Sequence, residues 1–179
     1  MGEHLTRVTD EKARDLLNQQ RKLLQRLQTE TRDFVWDLRD PGANDIPPDK
    51  ALASLLSHLQ VTTAIPLKLS VPGTMPALPP LAQNHLLRVA REAVNNAIKY
   101  SQASEIDVSL EQSDGGLRLE VTDGGTGFEV AKADMLLGHF GIRGMRERAK
   151  KCGGLLEIQS EPDKGTRVAF TLPSSNDFS

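Results

Sequence analysis

The sequence predicts an α/β protein in which amphipathic helices accompany strands joined as hairpins, preceded by one long N-terminal helix. Residues 86–101 repeat apolar side chains at spacings of three and four, the period of a helix with one buried face. Ile106–Glu111 and Leu117–Thr122 alternate apolar and polar residues around Asp114–Gly116, which predicts an antiparallel hairpin. Asp10–Asp40 contains no Gly or Pro, so it is predicted to be a single helix.

Composition excludes several classes of protein. The chain has 179 residues, 38% of them hydrophobic, and a net charge of -2, which gives no sign of a general nucleic-acid or membrane surface. Cys152 is the only cysteine, so an internal disulfide and a cysteine-based zinc site are both excluded. No apolar run approaches the ~20 residues of a membrane span, and no signal peptide is present. A cytoplasmic setting is therefore expected.

The predicted N-terminal helix carries an apolar stripe that needs a partner. Its members recur on one face, interrupted by polar residues: Leu16, Leu23, Leu27, Phe34 and Leu38. Such a stripe favours a second helix, in the same chain or across a dimer, although the helix could instead lie on its own domain. Trp36 is expected to anchor the junction with the segment that follows.

Further elements follow in order. Pro41–Pro48, rich in proline, is predicted to be a linker, and Lys50–His58 a short helix. Val61–Val71 resembles a strand in which Pro66 implies an edge or a break. After the first hairpin, residues 129–138 form a mobile-looking segment, and Gly141–Cys152 is predicted to be a helix with Met145 and Ala149 inward. Leu155–Ser160 and Arg167–Leu172 are predicted to form a second hairpin, and the tail 174–179 is expected to be disordered.

The central helix also has a polar edge. Residues four apart share a helix face, so Glu92, Asn96 and Tyr100 align, with Asn95 and Lys99 beside them. A carboxylate, an amide and an ammonium could together hold a hydrated divalent cation and a polyphosphate. The alternative is a solvated helix face carrying ordinary polar residues, and the helix alone does not decide between them.

Three glycine-bearing loops follow this helix. Asp123–Phe128 follows a strand, where a carboxylate can accept the amine of a purine and glycines let a ligand approach the backbone. Gly138–Met145 carries three glycines that free backbone amides at the start of a helix, a ready anion site. Lys164–Thr166 lies between two strands. Each loop alone is a weak signal. The first and third could be ordinary turns, and the second superficially resembles a dinucleotide-binding fingerprint but lacks the βαβ unit that such a site needs. Their order after the polar helix is specific.

In this order the segments resemble the catalytic ATP-binding domain of sensor histidine kinases, a Bergerat-type ATPase related to gyrase B. Arg91–Ser101 looks like the N box, Asp123–Phe128 the G1 box, and Gly138–Arg148 the G2 box, followed by the glycine-threonine element Lys164–Thr166. The sequence Gly-Ile-Arg-Gly-Met-Arg-Glu-Arg-Ala is similar to the subgroup paired with helix-turn-helix response regulators. Gly124 stands where the family usually carries Asn or Asp.

The resemblance implies roles on the phosphate side of a bound ATP. Asn96 would coordinate the Mg²⁺ that bridges the phosphates, and Glu92 would orient a metal-bound water or polarise the attacking group. Lys99 would neutralise phosphate charge. Gly141 and Gly144 would belong to a flexible lid over the phosphates.

On the base side, the resemblance implies that Asp123 accepts the adenine amine and that Tyr100 lies beside the nucleotide. Gly125 and Gly127 would let the loop pass over the base, and Thr166 would complete the hydrogen bonds to adenine.

The fold implied by the resemblance is an α/β (α+β) sandwich, with a mixed, mostly antiparallel sheet covered by helices on one face and the long N-terminal helix as an appendage. The expected organisation is a second dimerisation helix, a linker, the ATP-binding kinase domain and a tail, at residues 1–40, 41–49, 50–173 and 174–179. The full protein would be a homodimer anchored in the inner membrane, with a response regulator as partner.

No histidine of this chain has the sequence context of the family's phosphoacceptor; the four are His4, His58, His85 and His139. The chain is therefore expected to bind ATP and to donate its γ-phosphoryl group to a histidine on a dimerisation helix that this sequence lacks. Two alternatives remain open: an anti-sigma-type serine kinase of the same fold, and a catalytically inactive nucleotide-binding or dimerisation module.

Overall fold

The computed structural model describes residues 46–113, 116–131 and 140–173, together with Gln20 and Leu24. The chain divides into two units, Met1–Pro41 and Gly42–Ser179, and most of the described residues belong to the second.

Several predicted segments lie outside the described residues. Gln20 and Leu24 are helical, but the rest of the predicted helix over Asp10–Asp40 is not described. The same holds for most of the mobile-looking segment 129–138 and for the tail 174–179.

Three α-helices, one π-helical turn and five strands of the second unit have both ends within the described ranges. Their bounds are α1 Pro48–Gln60, β1 Leu67–Ser70, α2 Pro80–Asn96, the π turn Ala97–Ser101, β2 Ile106–Ser113, β3 Gly116–Asp123, α3 Phe140–Lys151, β4 Leu155–Ser160 and β5 Thr166–Pro173.

The five described strands form one sheet in the order β1-β2-β3-β5-β4. The β1–β2 pair is parallel, because α2 carries the chain back between them, whereas the other three pairs are antiparallel. Leu119 in the middle of β3 pairs with Leu110 on one side and Phe170 on the other. The prediction of a mixed, mostly antiparallel sheet is confirmed.

Alternation along the strands gives the sheet one apolar face. β3 alternates strictly between half-buried and buried positions, and α2 contacts both β3 and β5. The residues that face the helices are almost completely buried: Ile106, Val108, Leu110, Leu117, Leu119, Val121, Val168, Phe170 and Leu172. The predicted inward positions of both central strands are confirmed, and burial of this face is the main source of stability.

The first strand is shorter than predicted. The sequence favours Val61–Val71, but β1 covers only Leu67–Ser70. The side chain of Gln60, at the end of α1, donates to the carbonyl of Thr63 and accepts from the N–H of Leu67. These bonds hold the preceding residues in an irregular turn, and the strand begins directly after Pro66.

Two glycines, Gly153 and Gly154, fix the end of α3. Gly153 has a left-handed φ of 63°. Its N–H bonds to the carbonyl of Lys150, and the N–H of Gly154 bonds to the carbonyl of Ala149. This pair of hydrogen bonds is the Schellman motif, which satisfies the last helical carbonyls and turns the chain into β4.

The opposite face of the sheet carries a charged network. Arg167 donates two hydrogen bonds to the carboxylate of Glu120, at 2.7 and 2.5 Å, and Arg118 lies 3.6 Å from the same carboxylate. Hydrogen bonding from Arg167 holds the pKa of Glu120 below its ordinary value. The charged form of Glu120 therefore stabilises the folded state.

We expect Glu120→Gln to lower the free energy of unfolding by about 1 kcal/mol at neutral pH. Because the pKa is lowered on folding, this contribution is present above the pKa of the unfolded chain and disappears as pH falls through the folded value. Urea denaturation from neutral to strongly acidic pH measures it. The control Glu147→Gln removes an exposed carboxylate paired with Arg143. It should lower the free energy of unfolding by only a few tenths of a kcal/mol at most. A loss at Glu120 that does not shrink with acidification would contradict the assignment.

Candidate functional site

Helix α2 supplies the polar edge predicted for the site. Its apolar stripe is buried as expected, with Leu86, Val89 and Ala90 at 0% exposure. Glu92 and Asn96 are half-buried at the margin of this stripe. The helix thus fixes a carboxylate and an amide one turn apart, within reach of solvent.

The helix changes character immediately after Asn96. The sequence predicts one continuous α-helix through Ser101, but Ala97–Ser101 forms a π turn, and Gln102 has a left-handed φ of 56°. Because a π turn spaces its hydrogen bonds at five residues, the predicted alignment of Tyr100 with Glu92 and Asn96 does not continue beyond Asn96. Tyr100 is 70% exposed, and Lys99 is also exposed.

The π turn is where the central helix contacts the first glycine loop. The carbonyl of Ser101 accepts a 2.7 Å hydrogen bond from the N–H of Thr126. A side chain at Gly125 would overlap that same carbonyl, so only glycine lets the loop pass so close. Because Ser101 lies less than about 8 Å along the helix axis from Asn96, the end of the helix and the Asp-led loop meet on one side of the domain.

Asp123 ends β3 on the face of the sheet that the helices cover. It is 7% exposed, and its Oδ1 accepts a 3.0 Å hydrogen bond from the N–H of Gly125. Burial raises the pKa of Asp123, although the N–H groups of Gly125 and Thr166 favour the charged form. A partly desolvated carboxylate with free acceptor capacity is suited to hold a polar hydrogen of a ligand.

The β4–β5 loop supports the first glycine loop from the other side. The N–H of Asp163 donates to the carbonyl of Thr126 at 2.7 Å. A side chain on Gly127 would overlap the carbonyl of Glu161, and one on Gly165 would overlap that of Asp123; both glycines have positive φ. The structure therefore brings the loop before Thr166 directly against the loop after Asp123.

The start of α3 lies on the polar edge of α2. A Cβ at Gly141 would overlap the carboxylate of Glu92 and come within 3.4 Å of the Asn96 amide nitrogen. At Gly144 the nearest group is only the guanidinium end of Arg148, at 2.8 Å. The two glycines predicted as lid residues thus differ in what a side chain there would meet, which is Glu92 at Gly141 and Arg148 at Gly144.

Glu92 and Asn96 form the donor set that fits a magnesium ion. Mg²⁺ accepts carboxylate and amide oxygens, keeps several waters, and is usually shared between one or two protein groups and substrate phosphates. Gly141 lets the start of α3 approach both side chains so closely that a methyl group there would overlap the Glu92 carboxylate. No group of three or more His, Cys, Asp or Glu side chains that could hold a metal occurs in the part of the chain that is described.

Two residues of the site were missed from the sequence. Ser101 was predicted as the end of the helix and of the segment that resembles the N box, without a role of its own. Ser160 was predicted only as the end of a strand. Both bond to the loop after Asp123. Alternation through Leu156 and Ile158 does place Ser160 on the inner face, the one signal that could have identified it. None of the helices within the described ranges has the length and hydropathy needed to cross a bilayer.

Comparison with known proteins identifies relatives of this arrangement. The sequence model described as "Histidine kinase-, DNA gyrase B-, and HSP90-like ATPase" matches residues 82–176. "Sensor protein VraS" of Staphylococcus aureus is 30% identical over 98% of this chain and 50% of its own length. The protein of the same description from Staphylococcus epidermidis is 30% identical over 94% and 49%. The chain thus spans about half the length of these curated relatives.

Solved structures have the same fold at lower sequence identity. The ATP binding domain of PrrB from Mycobacterium tuberculosis matches 72% of this chain and 95% of its own, with a TM-score of 0.58 and 19% identity. The histidine kinase domain of the blue-light activated histidine kinase of Erythrobacter litoralis matches 73% and 63%, with a TM-score of 0.57 and 23% identity. The likeness confirms the predicted α/β fold.

Proposed function

The chain belongs to the histidine kinase-, DNA gyrase B- and HSP90-like ATPase family, and from this premise we propose that it is the ATP-binding catalytic domain of a two-component sensor histidine kinase. The observation that carries the proposal is that the central helix contacts two of the three glycine-bearing loops. Ser101 lies against Gly125 of the first loop, and Glu92 lies against Gly141 of the second. This arrangement puts the proposed acceptors for a base and the proposed groups for a metal and phosphates next to the C-terminal half of the same helix.

The base side of the site is formed by Asp123 and Thr166. Their backbones pair directly across β3 and β5, and the Asp123 carboxylate is anchored by backbone N–H groups while keeping acceptor capacity. We assign to Asp123 the exocyclic amine of adenine, with Thr166 beside it. Gly125 and Gly127 allow the loop to close over the base, and the exposed ring of Tyr100 lies at the margin of the site.

The phosphate side is formed by α2 and the start of α3. Asn96 and Glu92 would hold Mg²⁺, which supplies charge neutralisation to the polyphosphate when it is bound. Lys99, exposed on the π turn, adds a mobile positive charge. Gly141 keeps the first turn of α3 close to Glu92, so the backbone amides of that turn can approach the phosphates. Gly144 adds no side chain to the same turn.

Catalysis by such a site is chiefly positioning and charge stabilisation. The γ-phosphoryl group passes to an acceptor nucleophile with little covalent work by the protein, and Glu92 would orient the attacking group. Of the described histidines, His58 bonds the carbonyl of Ser54, and His85 is half-buried, with its pKa lowered by burial. Because no histidine of this chain has the sequence context of the family's phosphoacceptor, we assign the acceptor to a histidine on a dimerisation helix that this sequence lacks.

The remaining assignments follow from the same proposal. Residues 1–40 are the second dimerisation helix and 41–49 the linker to the kinase domain. The full protein forms a homodimer anchored in the inner membrane, its kinase domain works in the cytoplasm, and a response regulator receives the phosphoryl group.

Labelling with radioactive ATP tests the proposal. We expect a chain extended upstream by a histidine-bearing dimerisation helix to take up label that is stable in alkali and lost in acid, as a phosphohistidine is. The chain without the extension should remain unlabelled, and replacing the added histidine by Ala is the matched control. Acid-stable label on a separate partner's serine would favour a serine kinase, and an absence of label in the extended chain would contradict the proposal.

A further inference from the structure

Three polar residues form one row at the end of the sheet. Asp123 on β3 pairs with Thr166 on β5, and Thr166 pairs with Ser160 on β4. Directly paired residues project their side chains to the same face of a sheet. Ser160 therefore lies on the inner face, next to one of the two residues assigned to the base.

The hydroxyl of Ser160 is in contact with three polar groups. It accepts from the N–H of Phe128 at 2.9 Å and donates to the carbonyl of Gly165 at 2.9 Å. Its oxygen also lies 3.0 Å from the Thr166 hydroxyl oxygen. The Phe128 amide can only donate and the Gly165 carbonyl can only accept. All four groups are satisfied in one way: the Ser160 proton goes to Gly165, and Thr166 donates its proton to Ser160.

This assignment removes the donor capacity of Thr166. A hydroxyl group has one proton, and here that proton is used on Ser160. Towards a ligand, Thr166 then presents only lone pairs, and the Asp123 carboxyl group beside it, which already accepts from the N–H of Gly125, is also an acceptor. Two adjacent acceptors are complementary to an amino group and opposed to a carbonyl oxygen.

We propose that Ser160 is a specificity-determining residue that makes the site select 6-amino purine nucleotides over 6-oxo ones, by fixing the Thr166 hydroxyl as an acceptor. Ser160 acts through Thr166 and does not itself contact the base, so it is a positioning residue. The inference rests on the proposed function, because it requires that the purine base lie against Asp123 and Thr166.

The test is isothermal titration of the whole chain with MgATP and with magnesium inosine triphosphate, which carries a 6-oxo group. The wild-type chain should prefer ATP. In Ser160→Ala, the freed Thr166 proton can turn to the 6-oxo group, so the ratio of the two affinities should fall by about tenfold. Most of this change should come from tighter binding of inosine triphosphate, which mere loosening of the loop would not produce.

Two further variants separate this role from general destabilisation. Thr171→Val removes a strand hydroxyl on the other face, where it accepts from Arg118 at 3.0 Å, and should leave the ratio unchanged. In a Thr166→Val background, Ser160→Ala should have no further effect on the ratio, because the group through which it acts is gone. If Ser160→Ala does not fold, Ser160→Cys, a much weaker hydrogen-bonding group, carries the same expectation.

The outcomes are distinguishable. A wild-type chain that does not bind ATP overturns the proposed function and this inference with it. A wild-type chain that binds both nucleotides equally overturns the inference alone. So does a wild-type chain that prefers ATP, if the Ser160 variant keeps the preference or weakens both nucleotides equally.

Discussion

Asp123→Asn should reduce the affinity for a non-hydrolysable ATP analogue with Mg²⁺ by about 10- to 100-fold while leaving the domain folded. In the wild-type chain, one carboxylate oxygen accepts from the N–H of Gly125, and acceptor capacity remains for the adenine amine. An asparagine has only one oxygen, which the backbone donors would take. Its NH₂ group would then face the amine, donor against donor. Isothermal titration measures the loss.

Stability should move differently from affinity in this variant. Burial raises the pKa of Asp123, so the charged form is disfavoured by folding. Wild-type stability linked to this group is therefore greatest at acidic pH and falls as pH rises through the raised value. A neutral Asn does not carry this cost. The free energy of unfolding of the variant should therefore increase relative to that of the wild-type chain as pH rises.

Asp107→Asn provides the matched control, because Asp107 is an exposed carboxylate on the neighbouring strand. It should leave nucleotide affinity unchanged. Asp123→Asn with wild-type affinity would contradict the assignment of the base to this carboxylate.

Gly141→Ala should lower the rate of phosphoryl transfer to a histidine-bearing partner by about 10²-fold. The added methyl group would overlap the Glu92 carboxylate. Because that group is the end of a flexible side chain, it can turn away and the fold survives, but the proposed catalytic group is displaced from its position. Single-turnover labelling of the partner measures the rate.

Gly144→Ala is the matched control on the same helix. Its methyl group would meet only the guanidinium end of Arg148, so transfer should stay near the wild-type rate, and the better helix former should add about 0.5–1 kcal/mol of stability. Equal losses of rate in the two variants would show that α3 as a whole, and not the contact with Glu92, sets the activity.

Much of the sheet could be predicted because its strands are encoded by patterns among residues that are close together in the sequence. Alternation identified the buried positions of β2 and β3, and the glycines at 115–116 indicated their pairing. The stripe of α2 was predictable for the same reason, since every third or fourth residue must avoid water. These patterns depend only on which residues are adjacent in sequence.

The features that shape the site depend on contacts between distant segments. Ala97–Ser101 contains no Gly or Pro from which a π turn could be predicted. The departure from α-helical geometry occurs where Ser101 accepts the hydrogen bond from Thr126. Gly141 and Gly144 look equivalent in the sequence, and only the packing of α3 on α2 separates them. The role of Ser160 required knowing that β5 lies between β3 and β4.

The central claim is that one nucleotide is held between the helix bearing Asn96 and the loop led by Asp123. Diffraction from crystals grown with a non-hydrolysable ATP analogue and Mg²⁺ tests it most directly. The account predicts adenine with its amine on the Asp123 carboxylate and a metal ion on Asn96, with the triphosphate between them. A nucleotide bound elsewhere on the domain, or one whose base lies away from Asp123, would contradict it.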